Sequence, residues 1–374
     1  MLNKALELLK IFEEHGYEAY LVGGFVRDYI IQRPSIDVDV CTNATPMQVK
    51  QIFGNVELPF EQYGAVHLTY NKVDFEITTY RVDLEYNNGR SPSKIVYTDK
   101  LKVDLQRRDF TINTLCMDSK GNIIDTFNGL NDINRKTIRC VGDAYKSFRE
   151  DSLRMLRAIR FATELNFNLD DDLKKAIISN RSSLKKLSFF RKKQELNRIF
   201  SSPNAIRGME LIRLLKLDTY LGISLDKDVI KTNDPIGVWA QISPDERYPF
   251  TSNEHGYLKS IIRVVKDKRI NDMELYREGN YVCYIAAQIL KLDEVNVYDR
   301  YDALPIKKVS DIMLKPLEII NYLRLEDRSV VKEIIRDLEE KIINRKIPNT
   351  KEAITNYLAS NYTMWLMHYK DNKR

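Results

Sequence analysis

The sequence predicts an α+β protein: a small sheet with helices in its N-terminal third, then helices alone. Three observations carry this. Short apolar runs of strand length, Ala19–Val22, Ile36–Val40, Ala65–Tyr70 and Val73–Arg81, fall within the first hundred or so residues and are punctuated by turn signals. From Ala144 onward the apolar residues recur at helical spacing with no clear strand. A chain of 374 residues exceeds one ordinary core, so roughly two to four structural units are expected.

Composition narrows the class. Apolar residues at 43% beside 30% charged residues are those of a soluble globular protein. No apolar run reaches the roughly eighteen residues of a membrane span, and the N-terminus MLNKALELLKIFEEHGYEAY is an amphipathic helix rather than a signal peptide. A cytoplasmic protein without membrane contact is expected. Cys41, Cys116, Cys140 and Cys283 show no C-x-x-C spacing, which argues for free thiols and against zinc. His15, His67, His255 and His368 form no His-Asp pair, which disfavours a metal-dependent phosphohydrolase. The net charge of +6 permits a nucleic-acid partner without demanding one.

The first helix spans 1–18, with Leu2, Ala5, Leu8, Leu9 and Phe12 on one stripe. The strand Ala19–Val22 ends in Gly23-Gly24, followed by a helical turn carrying Arg27-Asp28. On the next strand, Ile36–Val40, Asp37 and Asp39 project to one face while Val38 points into the core. Two like charges held that close call for a hard divalent cation such as Mg2+, with further oxygen ligands from substrate phosphates. Gly23-Gly24 lets backbone N–H groups approach a triphosphate, and Arg27 brings charge to it. Each piece alone is commonplace. In this order and spacing they resemble the nucleotidyltransferase signature of the polymerase-beta superfamily.

Thr45-Pro46 starts a helix, and Asn71-Lys72 turns between the strands Ala65–Tyr70 and Val73–Arg81. Alternation in the second strand puts Asp74, Glu76 and Thr78 on one face, so Glu76 is either a third carboxylate of the metal cluster or an exposed strand residue. Residues 83–94 read as a mobile loop. Arg107, Arg108 and Asp109 precede an apolar helical run, which predicts two guanidiniums at a helix N-terminus, a poor place for them unless an anionic ligand needs them; a surface pair with Asp104 or Asp109 is the alternative. Residues 123–143 read as strand–turn–strand.

Within the predicted helix FREDSLRMLRAIRFATELNF, Leu153, Leu156, Ile159 and Ala162 face the core, and Asp151, Arg154 and Arg157 lie opposite. On spacing alone these three read as an (i, i+3) salt bridge on a solvated face. A basic stretch at 181–198, interrupted by Phe189-Phe190, is either a solvated face or a surface for an RNA backbone. Helices follow around 204–215, then an irregular region at 226–257, then helical blocks at 258–292 and 306–362, with Asn349-Thr350 restarting a helix.

Read together, LVGGFVRD, IDVDVCTNATP, FEITTYR, the loop with Tyr86, Arg90 and Pro92, DLQRRDFTIN, DTFNGLNDI and EDSLRMLRAIRFA resemble, in order, the motifs of class II tRNA nucleotidyltransferases, the CCA-adding family that includes bacterial poly(A) polymerases. The resemblance is dense over 1–215 and looser to the end. It implies a polymerase-beta-type mixed-sheet head (1–139), a helical neck that recognises the base (140–200), a helical body (201–305) and a helical, tRNA-binding tail (306–374). It implies template-independent addition of CCA to tRNA from CTP and ATP, with Asp37 and Asp39 holding Mg2+ and pyrophosphate released by two-metal transfer. Gly24 and Arg27 would contact the triphosphate, Arg108 the nucleotide and Asp109 its ribose. Asp151 and Arg154 would read the base, with Arg157 and Arg160 also at the nucleotide.

Elementary chemistry supports the base-reading role. Cytosine and adenine each present an amine donor beside a ring-nitrogen acceptor, which one carboxylate and one guanidinium can satisfy together. Uracil and guanine present the reverse, leaving buried polar groups opposed to their like. This favours the reader over the surface salt bridge. Two departures stand out. RLEDRSVVKEII lacks the glycines that the family often carries in its tail, and Asn113-Thr114 replaces Asn-Ala. An A-adding enzyme and a poly(A) polymerase are the alternatives. A CC-adding enzyme would lack the loop, and a non-catalytic RNA-binding relative would have lost Asp37, Asp39, Asp151 or Arg154. Oligomeric state stays open between monomer and homodimer, as does Mg2+ against Mn2+.

Overall fold

A seven-stranded mixed sheet organises the N-terminal part of this computed structural model, which describes every residue except 36, 55, 61–62, 87–91, 226–227, 294, 326–329 and 372–374. The chain divides into two units, Met1–Lys227 with Pro244–Pro249, and Asp228–Ser243 with Phe250–Arg374.

The first unit opens with α1 (Leu2–Glu14), whose Ala5, Leu8, Leu9 and Phe12 are fully buried, then β1 (Ala19–Val22) and α2 (Gly24–Ile30). β2 (Val38–Thr42) starts one residue after Asp37, two later than the expected Ile36. α3 (Pro46–Phe53) begins with a capping box between Thr45 and Gln48. β3 (Glu57–Phe60), β4 (Ala65–Tyr70) and β5 (Val73–Thr79) complete one side, β4 and β5 meeting at Asn71-Lys72, both with positive φ. β5 ends at Thr79 rather than Arg81, and β3 has no counterpart in the sequence reading. The sheet order is β3-β4-β5-β2-β1-β8-β9, where β8 is Cys116–Met117 and β9 Ile123–Ile124. β2 and β5 run parallel while β1 pairs antiparallel with both β2 and β8.

Residues 83–94 were expected to be loop. In the structure β6 (Arg81–Tyr86) and β7 (Pro92–Tyr97) pair as a separate antiparallel ribbon; residues 87–91, Arg90 among them, lie outside the described residues. The polar composition concealed strands that belong to no large sheet.

α4 (Leu101–Gln106) comes before the Arg107-Arg108-Asp109 motif, with Arg107 as its C-cap, and only a 3₁₀ turn, Thr111–Asn113, follows. The arginines therefore sit at a helix C-terminus, where the dipole favours cations, and the expected conflict does not arise. Residues 123–143 contain β9, then α5 (Gly129–Asn134), then β10 (Thr137–Ile138), a helix replacing the expected turn. α6 (Ala144–Glu150) and α7 (Leu153–Glu164) are two helices, broken where Asp151 takes extended backbone angles (φ −139°, ψ 102°). A short strand, β11 (Asn168–Leu169), pairs with β10 beyond the point where only helices were expected. α8 (Asp171–Asn180), α9 (Phe189–Ser201), α10 (Ala205–Leu214) and α11 (Asp218–Leu221) complete the unit. Gly208 of α10 lies so close to α9 that an added Cβ would come within 2.5 Å of Ile199.

In the second unit the described elements are all helical: α12 (Pro235–Trp239), α13 (Ser252–Asp267), α14 (Asp272–Leu290), α15 (Val295–Asp302), α16 (Pro316–Leu323), α17 (Val330–Ile343) and α18 (Lys351–Asp371). Leu275, Cys283, Ile334, Leu338 and Ile354 share its core. α14 is kinked at Gly279 (φ 79°), a conformation that glycine adopts without strain. All four cysteines are buried free thiols. Among the described residues, no helix is long and apolar enough to cross a membrane.

Candidate active site

At the ends of β1 and β2 the first unit encloses a cavity of about 710 Å³, lined by Gly24, Arg27, Asp37, Asp39, Glu76, Arg108, Asp109, Asp151, Arg154, Arg157 and Arg160. The residues expected at the metal and the nucleotide thus line one space, although they come from α2, β2 and its approach, β5, the segment after α4, the α6–α7 break and α7, spread over more than a hundred residues.

The turn after β1 is fixed by Gly23, which has φ 76° and caps α2. A Cβ there would sit 3.3 Å from Asp39 Oδ2 and 3.4 Å from Arg108 Nη1, so only glycine brings the backbone this near both charges. Asp39 is the register partner of Glu76 across the parallel β2–β5 pair. Burial first, then the neighbouring Glu76 and Asp37, push the Asp39 carboxyl up to about 6, against the attraction of Arg108 and Arg27. That corner has more carboxylate than nearby cations balance. Its donors are hard oxygens without thiol or imidazole, which fits a divalent cation of the Mg2+ type. Among the described residues no three acidic, His or Cys side chains form a closed metal cage. Glu76 is exposed and stands beside the aspartate pair rather than in a ready-made ligand group with it.

The arginines around Asp109 and Phe161 already have partners within the chain. Arg27, 7% exposed, donates from Nε to Asp28 Oδ1 (2.9 Å) and from Nη1 to Asn113 Oδ1 (2.7 Å). Asn113 Nδ2 donates to Asp109 Oδ1 (3.0 Å), and Arg157 Nε to Asp109 Oδ2 (2.7 Å). Burial alone would raise the Asp109 carboxyl, but Arg157 and Asn113 outweigh it and draw it down to about 2. Arg160 pairs with Glu195 of α9 (3.1 Å), both buried. The guanidiniums of Arg160, Arg27 and Arg157 lie 4.3, 5.2 and 5.4 Å from the centroid of a single ring, Phe161. Fully buried Asp104 holds Arg107 at 2.7 Å and Arg108 at 3.5 Å, and also accepts from the backbone N–H of Arg81 at the start of β6.

Asp151 and Arg154 do not pair with each other. Asp151 Oδ1 accepts from the Leu153 N–H (2.9 Å). Arg154 donates to Ser147 Oγ (2.6 Å) and to the Arg107 carbonyl (2.8 Å). The break between α6 and α7 separates them, and each is oriented by its own neighbour. A surface salt bridge is therefore not what this spacing makes.

Sequence reasoning did not find Asn113, Phe161 or Glu195. A faint signal existed for Phe161, which lies four residues after Arg157 and so on the same helical face. The pairing of Arg107 and Arg108 with Asp104 is the alternative the sequence offers, but it is buried rather than at the surface, and Glu195 shows itself only once α9 is packed.

Residues 19–139 match the Poly A polymerase head domain family, 166–221 the family described as an RNA- and SrmB-binding site of polymerase A, and 255–358 a tRNA nucleotidyltransferase domain 2. The chain is 32% identical to a CCA-adding enzyme of Bacillus licheniformis, covering 96% of this chain and 98% of that protein. It is also 32% identical to a CCA-adding enzyme of Lactobacillus helveticus, covering 95% and 96%. Among solved structures, the CCA-adding enzyme of Bacillus stearothermophilus in complex with CTP is similar at a TM-score of 0.87 and 27% identity, covering 98% of each chain.

Proposed function

The chain belongs to the CCA-adding enzymes, a family of nucleotidyltransferases, and we propose that it extends tRNA 3′ ends with CCA, taking CTP and ATP in turn and releasing pyrophosphate. The observation that carries this reading is the convergence of Asp37 and Asp39 with Asp151 and Arg154 on one cavity. Groups suited to a phosphoryl-transfer metal and groups suited to a base edge then act on the same nucleotide.

In this reading Gly23-Gly24 and Arg27 receive the triphosphate, Arg108 meets the nucleotide, and Asp109 faces the ribose. Asp151 accepts from the exocyclic amine of cytosine or adenine while Arg154 donates to the ring nitrogen. Uracil and guanine leave both groups facing their like, so no nucleic-acid template is needed. Asp37 and Asp39 would hold divalent cations, Mg2+ by donor type, which when bound would lower the pKa of the attacking 3′ hydroxyl and steady the departing pyrophosphate. The 3′ oxygen forms its bond to the α-phosphorus as the bond to the β-phosphate oxygen breaks. In-line geometry is the protein's main contribution, through the fixed arginines around Phe161. The CTP complex of the Bacillus stearothermophilus relative supports a cytidine nucleotide as one substrate. The head, neck, body and tail limits at 139, 200 and 305 belong to the same proposal, with tRNA gripped by the helical parts.

The test uses three tRNA transcripts, ending before CCA, after C and after CC, with Mg2+ and labelled CTP or ATP. Completion of all three to CCA is the expected result. AMP addition to the CC-ended transcript alone would make the protein an A-adding enzyme, and long A tails on unrelated RNA a poly(A) polymerase.

A further inference from the structure

Between the arginine assigned to the triphosphate and the aspartate assigned to the ribose lies one neutral side chain, Asn113. It is 6% exposed and lines the cavity. Its amide accepts from Arg27 on one side and donates to Asp109 on the other, and Arg157 donates to the far oxygen of Asp109. Arg27, Asn113, Asp109 and Arg157 therefore form an unbroken chain of hydrogen bonds along the wall. The orientation of the amide follows from its neighbours, because a guanidinium can only donate and an ionised carboxylate can only accept.

The platform beneath is rigid. Asn113 closes a 3₁₀ turn whose Thr111 hydroxyl donates to buried Asp132 (2.7 Å) and whose Thr111 N–H donates to the Arg139 carbonyl (3.0 Å). The two arginines at the ends of the chain also share the Phe161 ring. Side chains locked in this way hold a geometry that loops do not.

We propose that Asn113 is a positioning residue that fixes the spacing between the triphosphate-binding and ribose-binding groups while leaving the charge of Arg27 available to the nucleotide. The inference rests on the reading of Arg27 and Asp109 given above. The amide does this with two separate atoms, its oxygen accepting from the guanidinium and its nitrogen donating to the carboxylate, so the two charged groups do not share one atom. An aspartate here would face Asp109 as a like charge and would give Arg27 a second carboxylate beside Asp28, cancelling the positive charge meant for the triphosphate. Alanine would remove the bridge and leave Arg27 held only by Asp28 and the Phe161 ring.

The experiment is steady-state AMP addition to a CC-ended transcript by the full-length protein, with KM for ATP and kcat read separately and thermal unfolding in parallel. Asn113→Ala should raise KM about tenfold with kcat nearly unchanged, as expected when both hydrogen bonds of the bridge are lost but Arg27 and Asp109 themselves remain. Asn113→Asp should raise it about a hundredfold, and Asn113→Gln, which keeps one acceptor and one donor on a longer stem, should fall between wild type and alanine. A merely structural role would lower kcat and the unfolding temperature together rather than move KM alone, and Asn113→Asp keeps the volume should the alanine variant fold poorly. Unchanged KM in both the alanine and aspartate variants, or a rise in KM matched by an equal loss of kcat, overturns the proposal. Arg27→Ala separates the two levels. If it raises KM and the Asn113 variants do not, the positioning role alone falls; if it leaves KM unchanged, the triphosphate reading falls and takes the positioning role with it.

Discussion

Asp39 and Asp109 line the same cavity, and their carboxyls are displaced in opposite directions, to about 6 and about 2. Burial pushes both upward. Asp39 meets Glu76 and Asp37, whereas Asp109 meets Arg157 and the amide of Asn113. The difference teaches how to read a buried carboxylate. One that already has its cation from the chain is part of the frame. One left among other carboxylates is prepared for a cation from outside.

The sharpest break in this comparison is at Asp39. Asp39→Ala should abolish addition, by about a thousandfold or more, while tRNA binding stays within about twofold. Addition that survives would show that the acidic corner is not where the metal acts. On the paired side, Glu195→Ala should leave the Arg160 charge buried without its carboxylate and destabilise the fold by about 3 kcal/mol or more, read by denaturant unfolding. An effect below about 1 kcal/mol would mean that the pair behaves like a surface one.

The two aspartates also differ in sign in their linkage to pH. The raised Asp39 favours the fold below its unfolded value of 3.8, and that contribution is lost as pH rises through about 6. Near pH 8 its ionised form is a net burden on the order of 3 kcal/mol, so Asp39→Asn should stabilise the metal-free protein and abolish stabilisation by Mg2+. The depressed Asp109 works the other way, its contribution present above 3.8 and lost as pH falls through about 2. Asp109→Asn should therefore destabilise at neutral pH. A smaller effect is expected at Asp151, which is set by the Leu153 N–H rather than by a charge. Asp151→Ala should lower discrimination of CTP over UTP about a hundredfold, measured as a ratio of kcat/KM. An unchanged ratio would remove it from base reading.

Residues whose role depends on local geometry were legible in the sequence. Gly23-Gly24, Asp37-x-Asp39 and Thr45-Pro46 each impose their conformation on the next few residues, and the structure has them as a positive-φ turn, a strand-end pair and a capped helix. What failed was direction and partnership. Arg107-Arg108 was assigned to the wrong helix end because the short α4 before it carries too few residues to announce itself. The α6–α7 break went unseen because helical periodicity runs straight through Asp151 and Ser152. The β6–β7 ribbon lacks the apolar alternation of a core strand. Asn113 and Glu195 gain their meaning from Arg27 and Arg160, residues 86 and 35 positions away in the chain.

The most direct measurement is a carbon-detected NMR titration of the Asp39 and Asp109 side-chain carboxyls, with and without Mg2+. Asp39 should titrate near 6 without metal and shift to lower pH when Mg2+ is added, while Asp109 shows no step above about pH 3 in either condition. An Asp39 midpoint near 4 that ignores Mg2+ would contradict the division of the cavity into a cation-receiving corner and a self-paired frame.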